Sequence, residues 1–374
     1  MSQEILQKIH SALAGVSDPE LHRPLPDLGM VESVSFKDGS AHIKILLTIS
    51  GCPMRDRLSA DINAAVSKVA GVTEIKLDFG VMNEAQRENV KKLLRNGREK
   101  FIPFAQPDSL TRTIGIASGK GGVGKSSVTV NLARALVLRG FSVGILDADV
   151  YGHSIPRLLG IEGRRPTAID QTFIPVEVDG IKVVSIEMFK PERSDPVAYR
   201  GPLLHRVLEQ LLSDAYWGDL DFLLLDLPPG TGDIAISLGQ LIPTSEIIIV
   251  TTPQIAAAEV AERAGRIAHQ LKQQISGVVE NMSPYISETG EEIALFGSGG
   301  GQETVERLSR LVGADIPLLA QIPFQIDIRQ SGDNGTSIFE LDEENPALRA
   351  FFSIADALAV RKRSLLGVRL GLST

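Results

Sequence analysis

The sequence predicts an α/β protein in which a parallel, doubly wound sheet follows a small α+β domain. Two observations lead to this fold class. Short β-branched or leucine-rich runs alternate with helical stretches over most of the chain, as in parallel strands joined by crossover helices. The N-terminal segment instead reads helix, strand, strand, helix, strand. The runs predicted as parallel strands are 113–117, 143–146, 182–186, 222–225, 247–250, 275–279 and 318–322.

The small α+β domain is predicted over residues 1–83. Ile5, Ile9 and Leu13 recur at the spacing of one helical face, which predicts a helix that packs on a core. Residues 37–39 read Lys-Asp-Gly and predict a tight turn between two strands. This part of the chain therefore has its own short sheet.

A linker is predicted at 84–110 and the parallel-sheet domain at 111–374. The linker begins as a strongly charged stretch, and Pro103 and Pro107 then interrupt any helix. The change from charged to apolar, periodic sequence marks the start of the second domain.

Composition and charge exclude several classes of protein. The 374 residues are 43% hydrophobic, which is enough for a sizeable core and excludes a disordered chain. The net charge of -8 argues against a surface that coats nucleic acid. The sequence shows neither a signal-peptide pattern nor an apolar run of about 18 residues, so we expect a cytoplasmic protein.

Cys52 is the single cysteine of the chain. It excludes an intrachain disulfide and any metal site built from several cysteines of one chain. Two interpretations of Cys52 remain open, a small buried hydrophobe and an exposed thiol that ligates or transfers a metal. Gly51 and Pro53 favour a position at a strand end, where a thiol can be exposed.

A phosphate-binding loop is predicted at residues 119–126, which read G-K-G-G-V-G-K-S and satisfy the pattern G-x-x-x-x-G-K-[ST]. A predicted strand precedes the loop and a helical run follows it. The glycines let backbone N–H groups surround phosphates, and the helix adds the positive end of its dipole. The alternative is a glycine-rich turn that binds no ligand. We expect the nucleotide ATP to contact Gly119, Lys120, Gly121, Gly122, Val123, Gly124, Lys125, Ser126 and Ser127.

Carboxylates at strand ends complete the predicted site. Lys125 should contact the β- and γ-phosphates, and the Ser126 hydroxyl should ligate Mg²⁺. Asp226 ends an apolar strand, which suits a Walker B position that holds the same Mg²⁺ through its water shell. Asp147 and Asp149 end another strand. A single strand-end aspartate is more often a cap or turn residue, but three beside a phosphate loop favour a catalytic site.

Lys120, directly after the first loop glycine, resembles the signature lysine of the deviant Walker A ATPases, the class that contains MinD, ParA and the nitrogenase iron protein. The resemblance implies a homodimer in which Lys120 reaches the partner's phosphates and acts in catalysis with Lys125. It also implies that Asp149 orients the attacking water, that Asp147 lies near the metal, and that Asn281 hydrogen-bonds adenine. A plain turn asparagine is the alternative at this last position.

Four motifs together resemble the Mrp/ApbC family of iron-sulfur cluster carrier ATPases. The resemblance covers nearly the whole chain, because D-P-E at 18 and G-C-P at 51 look like the small assembly-factor domain often fused to this family. It implies an ATP-hydrolysing carrier whose partners are apo iron-sulfur client proteins. The motifs are G-K-G-G-V-G-K-S at 119, D-A-D-V-Y-G-H-S-I-P at 147, D-L-P-P-G-T-G-D at 226 and E-N-M-S at 280.

One family feature is missing. Members usually carry C-x-x-C after the N-M-S motif, whereas this chain has Ile286 and Thr289 at about those positions. Neither side chain ligates iron. The ATPase inference is unaffected, but Cys52 is left as the possible iron-sulfur ligand.

The alternative function is a positioning ATPase of the MinD kind that binds a membrane or partner surface. Residues 361–370 interleave arginine and lysine with leucine and valine, and such a segment can lie on anionic lipid. Gly367 and Gly371 weaken a helix there, which favours a tail packed on the domain. We therefore expect neither a membrane nor a nucleic acid as partner.

Overall fold

The computed structural model describes residues 2–48, 54–94, 101–106, 108–150, 152, 154–169, 172–190, 201–287, 289–340 and 345–360. Contacts divide the chain into two compact units, each made of more than one segment. The first unit consists of Met1–Phe101, Thr167–Ile174 and Asp214–Tyr216. The second unit consists of Ile102–Pro166, Pro175–Ser213 and Trp217–Thr374.

The helices, in chain order, are α1 (Ser2–Ala14), α2 (Arg55–Val66), α3 (Glu84–Leu94), α4 (Lys125–Leu138), α5 (Ile155–Leu158), α6 (Gly201–Ser213), α7 (Asp233–Leu241), α8 (Ile255–Gln270), α9 (Gly300–Val312), α10 (Ile326–Asn334) and α11 (Pro346–Val360). The strands are β1 (Val31–Lys37), β2 (Ser40–Leu47), β3 (Glu74–Val81), β4 (Arg112–Ser118), β5 (Val143–Asp147), β6 (Thr167–Ile169), β7 (Thr172–Ile174), β8 (Val176–Val178), β9 (Ile181–Ser185), β10 (Phe222–Asp226), β11 (Glu246–Thr251), β12 (Gln274–Ser283), β13 (Tyr285–Ile286), β14 (Glu292–Ile293) and β15 (Leu318–Pro323). Among the described residues, no helix combines the length and apolar character needed to cross a membrane.

The first unit is built on the sheet β1-β2-β3, in which β1 and β2 are antiparallel and β2 and β3 are parallel. Asp38 and Gly39 join β1 to β2, and both have positive φ. A two-residue turn of this kind matches the right-handed twist of the strands. Ile9 and Leu13 of α1 are fully buried in this unit's core. The predicted order of helix, strand, strand, helix, strand is confirmed.

The core of the first unit also contains residues from distant parts of the chain. The hairpin of β6 and β7 buries Ile169 and Ile174 in the same cluster as α1. At the start of the hairpin, the Thr167 hydroxyl donates to Glu20 Oε1 at 2.7 Å. Val90 of α3, within the segment predicted as a linker, is buried in this cluster as well. The first unit therefore extends past residue 83 and also includes the hairpin of β6 and β7, which comes much later in the chain.

The second unit is a sheet with the strand order β15-β12-β11-β4-β10-β5-β9-β8. Neighbouring strands are parallel except β8, which is antiparallel to β9 at one edge. Ile114 and Ile116 of β4 belong to the core cluster that contains residues of α4 and α11. Gly115 and Ala117 alternate with them and lie on the opposite face, with Ala264 of α8. The predicted doubly wound α/β fold is confirmed, with one antiparallel edge strand added.

Candidate functional site

The phosphate loop, residues 119–126, connects the carboxyl end of β4 to α4, whose first residue is Lys125. Gly122 and Gly124 both have φ of +79°, a left-handed conformation that favours glycine. Gly119 is constrained differently, since a Cβ there would lie 2.2 Å from the carbonyl carbon of Val260. The loop can therefore turn its backbone toward a ligand at the positive end of α4.

The C-terminal end of this loop contacts a buried carboxylate, since Lys125 and Ser126 both contact Asp226. The Lys125 ammonium lies 2.8 Å from Asp226 Oδ1, and the Ser126 hydroxyl donates to Asp226 Oδ2 at 2.6 Å. Asp226 is fully buried at the end of β10, and Lys125 is 7% exposed. The predicted lysine, serine and carboxylate therefore lie in direct contact.

Asp147 and Asp149 lie beside this group because β5 pairs with β10 in register, with Asp147 opposite Asp226. Asp147 accepts hydrogen bonds from the Ser185 hydroxyl at 3.0 Å and from the Asp149 N–H at 3.2 Å. Asp149 Oδ2 lies 3.9 Å from the Lys125 ammonium. Burial, followed by repulsion from Asp226, raises the pKa of Asp147 well above its ordinary value.

The residues present fit a magnesium nucleotide. The Lys125 ammonium lies near two carboxylates, Asp226 and Asp149, and the pKa of Asp147 beside them is raised by burial first and by repulsion from Asp226 second. The Ser126 hydroxyl and the Asp226 carboxylate are hard oxygen ligands of the kind that Mg²⁺ prefers. Among the described residues, no group of three or more His, Cys, Asp or Glu side chains is arranged to hold a metal by itself.

Asn281 contacts the loop from β12, and Lys120 of the loop contacts a residue outside it. Asn281 is 9% exposed, and its Nδ2 donates to Val123 O at 2.9 Å. A Cβ at Gly124 would lie 2.2 Å from this amide nitrogen, so the asparagine fills the space that the glycine leaves. Lys120 Nζ donates to Gln254 Oε1 at 2.7 Å. The adenine contact of Asn281 and the partner contact of Lys120 stay predictions.

Other predicted residues have more limited descriptions. The Ser127 backbone carbonyl accepts a hydrogen bond from Asn131 Nδ2 at 2.9 Å. Ile286 pairs with Glu292 in the β13–β14 hairpin, and the Thr289 hydroxyl lies 2.9 Å from that of Ser287. Cys52 and the tail 361–374 lie outside the described residues.

Three residues in or next to the site were missed by the sequence analysis. Thr129 is fully buried and its hydroxyl donates to Asp226 Oδ1 at 2.8 Å. Its position one helical turn after Lys125 is the signal that could have identified it. Gln254 contacts Lys120, as described above. Glu280, next to Asn281, is buried and accepts a hydrogen bond from the backbone N–H of Gly301 at 2.7 Å.

This strand, loop and helix, with a lysine, a serine and a buried aspartate at the loop, define a P-loop nucleotide hydrolase. The family model described as NUBPL iron-transfer P-loop NTPase matches residues 109–359. A second model, described as iron-sulfur cluster assembly protein, matches residues 6–77. The chain belongs to the NUBPL iron-transfer P-loop NTPase family, and its resemblance to iron-sulfur cluster carrier ATPases is confirmed.

Relatives support the same family over most of the chain. A protein of Mycobacterium bovis named iron-sulfur cluster carrier protein is 52% identical over 366 residues, which cover 97% of this chain and 96% of that protein. A protein of Bacillus subtilis with the same name is 37% identical over 351 residues, covering 93% and 96%. A solved nucleotide-binding protein from Archaeoglobus fulgidus in complex with ADP is 36% identical, with a TM-score of 0.52. The matched region covers 62% of this chain and 92% of the Archaeoglobus chain.

Proposed function

We propose that this chain is an iron-sulfur cluster carrier that binds and hydrolyses ATP with Mg²⁺ as a nucleotide-gated homodimer. The observation that carries the ATPase part is the contact of Lys125 and Ser126 with the buried carboxylate of Asp226 at the end of the phosphate loop. A lysine, a hydroxyl and a carboxylate at this position are the groups that bind phosphates and a magnesium ion in P-loop hydrolases.

Each group has one task in the proposed reaction. The Lys125 ammonium leaves Asp226 and neutralises the phosphates, whose charge develops further in the transition state. Ser126 and Asp226 are the residues that would hold Mg²⁺, with Asp147 nearby, and the ion would supply further positive charge to the phosphate oxygens. Asp149 orients the attacking water.

Dimerisation is proposed from Lys120. Lys120 does not share the contacts that Lys125 makes with the aspartates of the site. Its Nζ instead donates to Gln254. In the proposed homodimer, Lys120 releases Gln254 and reaches the phosphates bound by the partner. ATP then favours the dimer because each nucleotide contributes contacts to both subunits.

The cluster is a substrate in this scheme. Cys52 is the single thiol of the chain, so a homodimer offers two, whereas an iron-sulfur cluster usually has four protein ligands. The remaining positions would be filled by thiols of apo client proteins or by other ligands, so binding is transient. The names of the relatives and the match of the assembly-protein model to residues 6–77 support this role.

Anaerobic reconstitution with iron and sulfide, followed by absorbance spectroscopy and transfer to an apo acceptor protein, tests the carrier function. We expect wild type to take up and pass on a cluster. Cys52→Ser should lose the cluster absorbance and keep its ATPase activity. Wild type that takes up no iron and sulfide would refute the carrier role, and unchanged uptake by Cys52→Ser would refute the role of the thiol.

The positioning function stays an alternative prediction, because the basic tail on which it depends lies outside the described residues. Co-sedimentation with anionic liposomes, with and without ATP, separates it from the carrier function. We expect no ATP-dependent binding to the liposomes.

A further inference from the structure

Thr129 of α4 contacts the aspartate that is proposed to hold magnesium. Its hydroxyl lies 2.8 Å from Asp226 Oδ1 and 3.0 Å from the backbone carbonyl of Lys125. Both Thr129 and Asp226 are fully buried. A threonine hydroxyl has one hydrogen, and the charged carboxylate is the stronger of these two acceptors, so the hydroxyl donates to Asp226 and links this carboxylate to α4.

The two oxygens of Asp226 have different partners. Oδ1 accepts from Thr129 and contacts the Lys125 ammonium, whereas Oδ2 accepts from the Ser126 hydroxyl at 2.6 Å. Rotation of the carboxylate about its last side-chain bond would exchange or break these contacts. The partners of Oδ1 therefore determine the direction in which Oδ2 points.

This arrangement changes when Lys125 acts on a nucleotide. If the ammonium moves to the phosphates, as the proposed function requires, Oδ1 loses its charged partner. A buried carboxylate oxygen without a donor is costly. The Thr129 hydroxyl stays in place because α4 carries it one turn below Lys125, away from the loop.

We propose that Thr129 is a positioning residue that fixes the carboxylate of Asp226, with Oδ2 toward Ser126, and thereby sets the affinity of the nucleotide complex for Mg²⁺. The inference rests on the proposed function and adds to it a residue that does not touch nucleotide or metal. Partners that orient a metal ligand in this way typically change metal affinity by about 10- to 100-fold when they are removed.

The test measures metal binding separately from hydrolysis. A fluorescent ADP analogue is titrated into the full chain in EDTA and then at increasing MgCl₂. Thr129→Val keeps the shape of the side chain and removes the hydroxyl. We expect its affinity for the analogue in EDTA to stay within about 2-fold of wild type. We expect its MgCl₂ midpoint, the MgCl₂ concentration at half of the magnesium-dependent change in fluorescence, to rise about 10-fold or more. Thr129→Ser restores the hydroxyl and should restore the midpoint.

Thr304 provides a matched control. It is also fully buried in a helix of the second unit, and its hydroxyl donates to the carbonyl of Gly300, four residues earlier, at 2.7 Å. Thr304→Val therefore removes the same kind of helix hydrogen bond without touching Asp226. Its MgCl₂ midpoint should equal that of wild type.

Three results would overturn the inference. One is an unchanged MgCl₂ midpoint in folded Thr129→Val, and another is an equal shift in Thr304→Val. The third result applies if Thr129→Val does not fold. Thr129→Ser keeps the hydroxyl, so an MgCl₂ midpoint raised about 10-fold in this variant would contradict a role for that group. Wild type that does not bind the analogue at all refutes the proposed function itself, so the two failures are distinguishable.

Discussion

The ammonium of Lys120 donates a hydrogen bond to Gln254 Oε1 at 2.7 Å, so this lysine is held by a residue of its own chain. Gln254 immediately precedes α8. The adjacent Pro253 accepts a hydrogen bond from the backbone N–H of Gly300, the first residue of α9, at 2.9 Å. Lys120 is therefore anchored where the starts of two helices meet, and the proposed homodimer requires it to leave this position.

Gln254→Glu should weaken ATP-dependent dimerisation. The carboxylate would form an ion pair with Lys120 and hold it within its own subunit. An exposed pair of this kind is worth about 0.2–1 kcal/mol and must break in both subunits, so we expect the dimer to dissociate about 2- to 30-fold more readily. Sedimentation equilibrium with a non-hydrolysable ATP analogue measures this, and Gln254→Ala, which cannot hold the lysine, is the control. A tighter dimer in Gln254→Glu would contradict the prediction.

Lys125→Ala should reduce ATP hydrolysis by at least about 100-fold, because the ammonium that it removes neutralises the charge of the phosphates bound in its own subunit. The variant should remain folded with a lower melting temperature, since the buried carboxylate of Asp226 loses its cation. Phosphate release and circular dichroism measure the two effects. Lys68→Ala, at an exposed lysine, should match wild type in both. Wild-type turnover in folded Lys125→Ala would refute the site.

Asp147→Asn should stabilise the protein increasingly as pH rises. Because burial and repulsion from Asp226 raise the pKa of Asp147, the folded chain keeps a proton that the unfolded chain releases. The wild-type free energy of unfolding therefore falls as pH rises from about 3.9 through the raised pKa. The asparagine removes this loss, at most about 1.4 kcal/mol per pH unit. Urea denaturation in EDTA from pH 5 to 8 measures the difference, and a gain that shrinks with pH would count against it.

Ile169→Ala should destabilise the first unit, although Ile169 lies far along the chain. Loss of a fully buried isoleucine from a core typically costs about 2–5 kcal/mol. Hydrogen exchange of the β2 amides, followed by mass spectrometry, should accelerate accordingly. The neighbouring Ala168 is exposed, and Ala168→Ser should leave the exchange unchanged. Equal protection of β2 in Ile169→Ala and wild type would show that the hairpin does not support this core.

The sequence predicted the local parts of the site well. The phosphate loop could be identified because its glycines, Lys125 and Ser126 lie within eight consecutive positions, where spacing alone fixes geometry. The alternation of strands and helices likewise predicted the parallel sheet. The antiparallel edge strand β8 was missed, since three residues carry too short a pattern.

Contacts across long stretches of chain could not be predicted where neither partner belongs to a recognisable motif. Thr129 and Asp226 are separated by 97 positions, and Lys120 and Gln254 by 134. A buried threonine in a helix and a glutamine before one have ordinary sequence contexts. Their partners are decided by the strand order of the sheet, which places β10 and β11 on either side of β4.

The hairpin of β6 and β7 has a consequence for the order in which the protein matures on the ribosome. Residues 1–101 are synthesised first, but Ile169 and Ile174, which complete their core, follow only after β4, α4 and β5. At about 5–20 residues per second, the nascent N-terminal segment waits several seconds with an unfilled apolar surface. An apolar surface that stays uncovered during synthesis is the kind of transient surface that chaperones bind. Translation speed between residues 101 and 174 should therefore influence the yield of native protein.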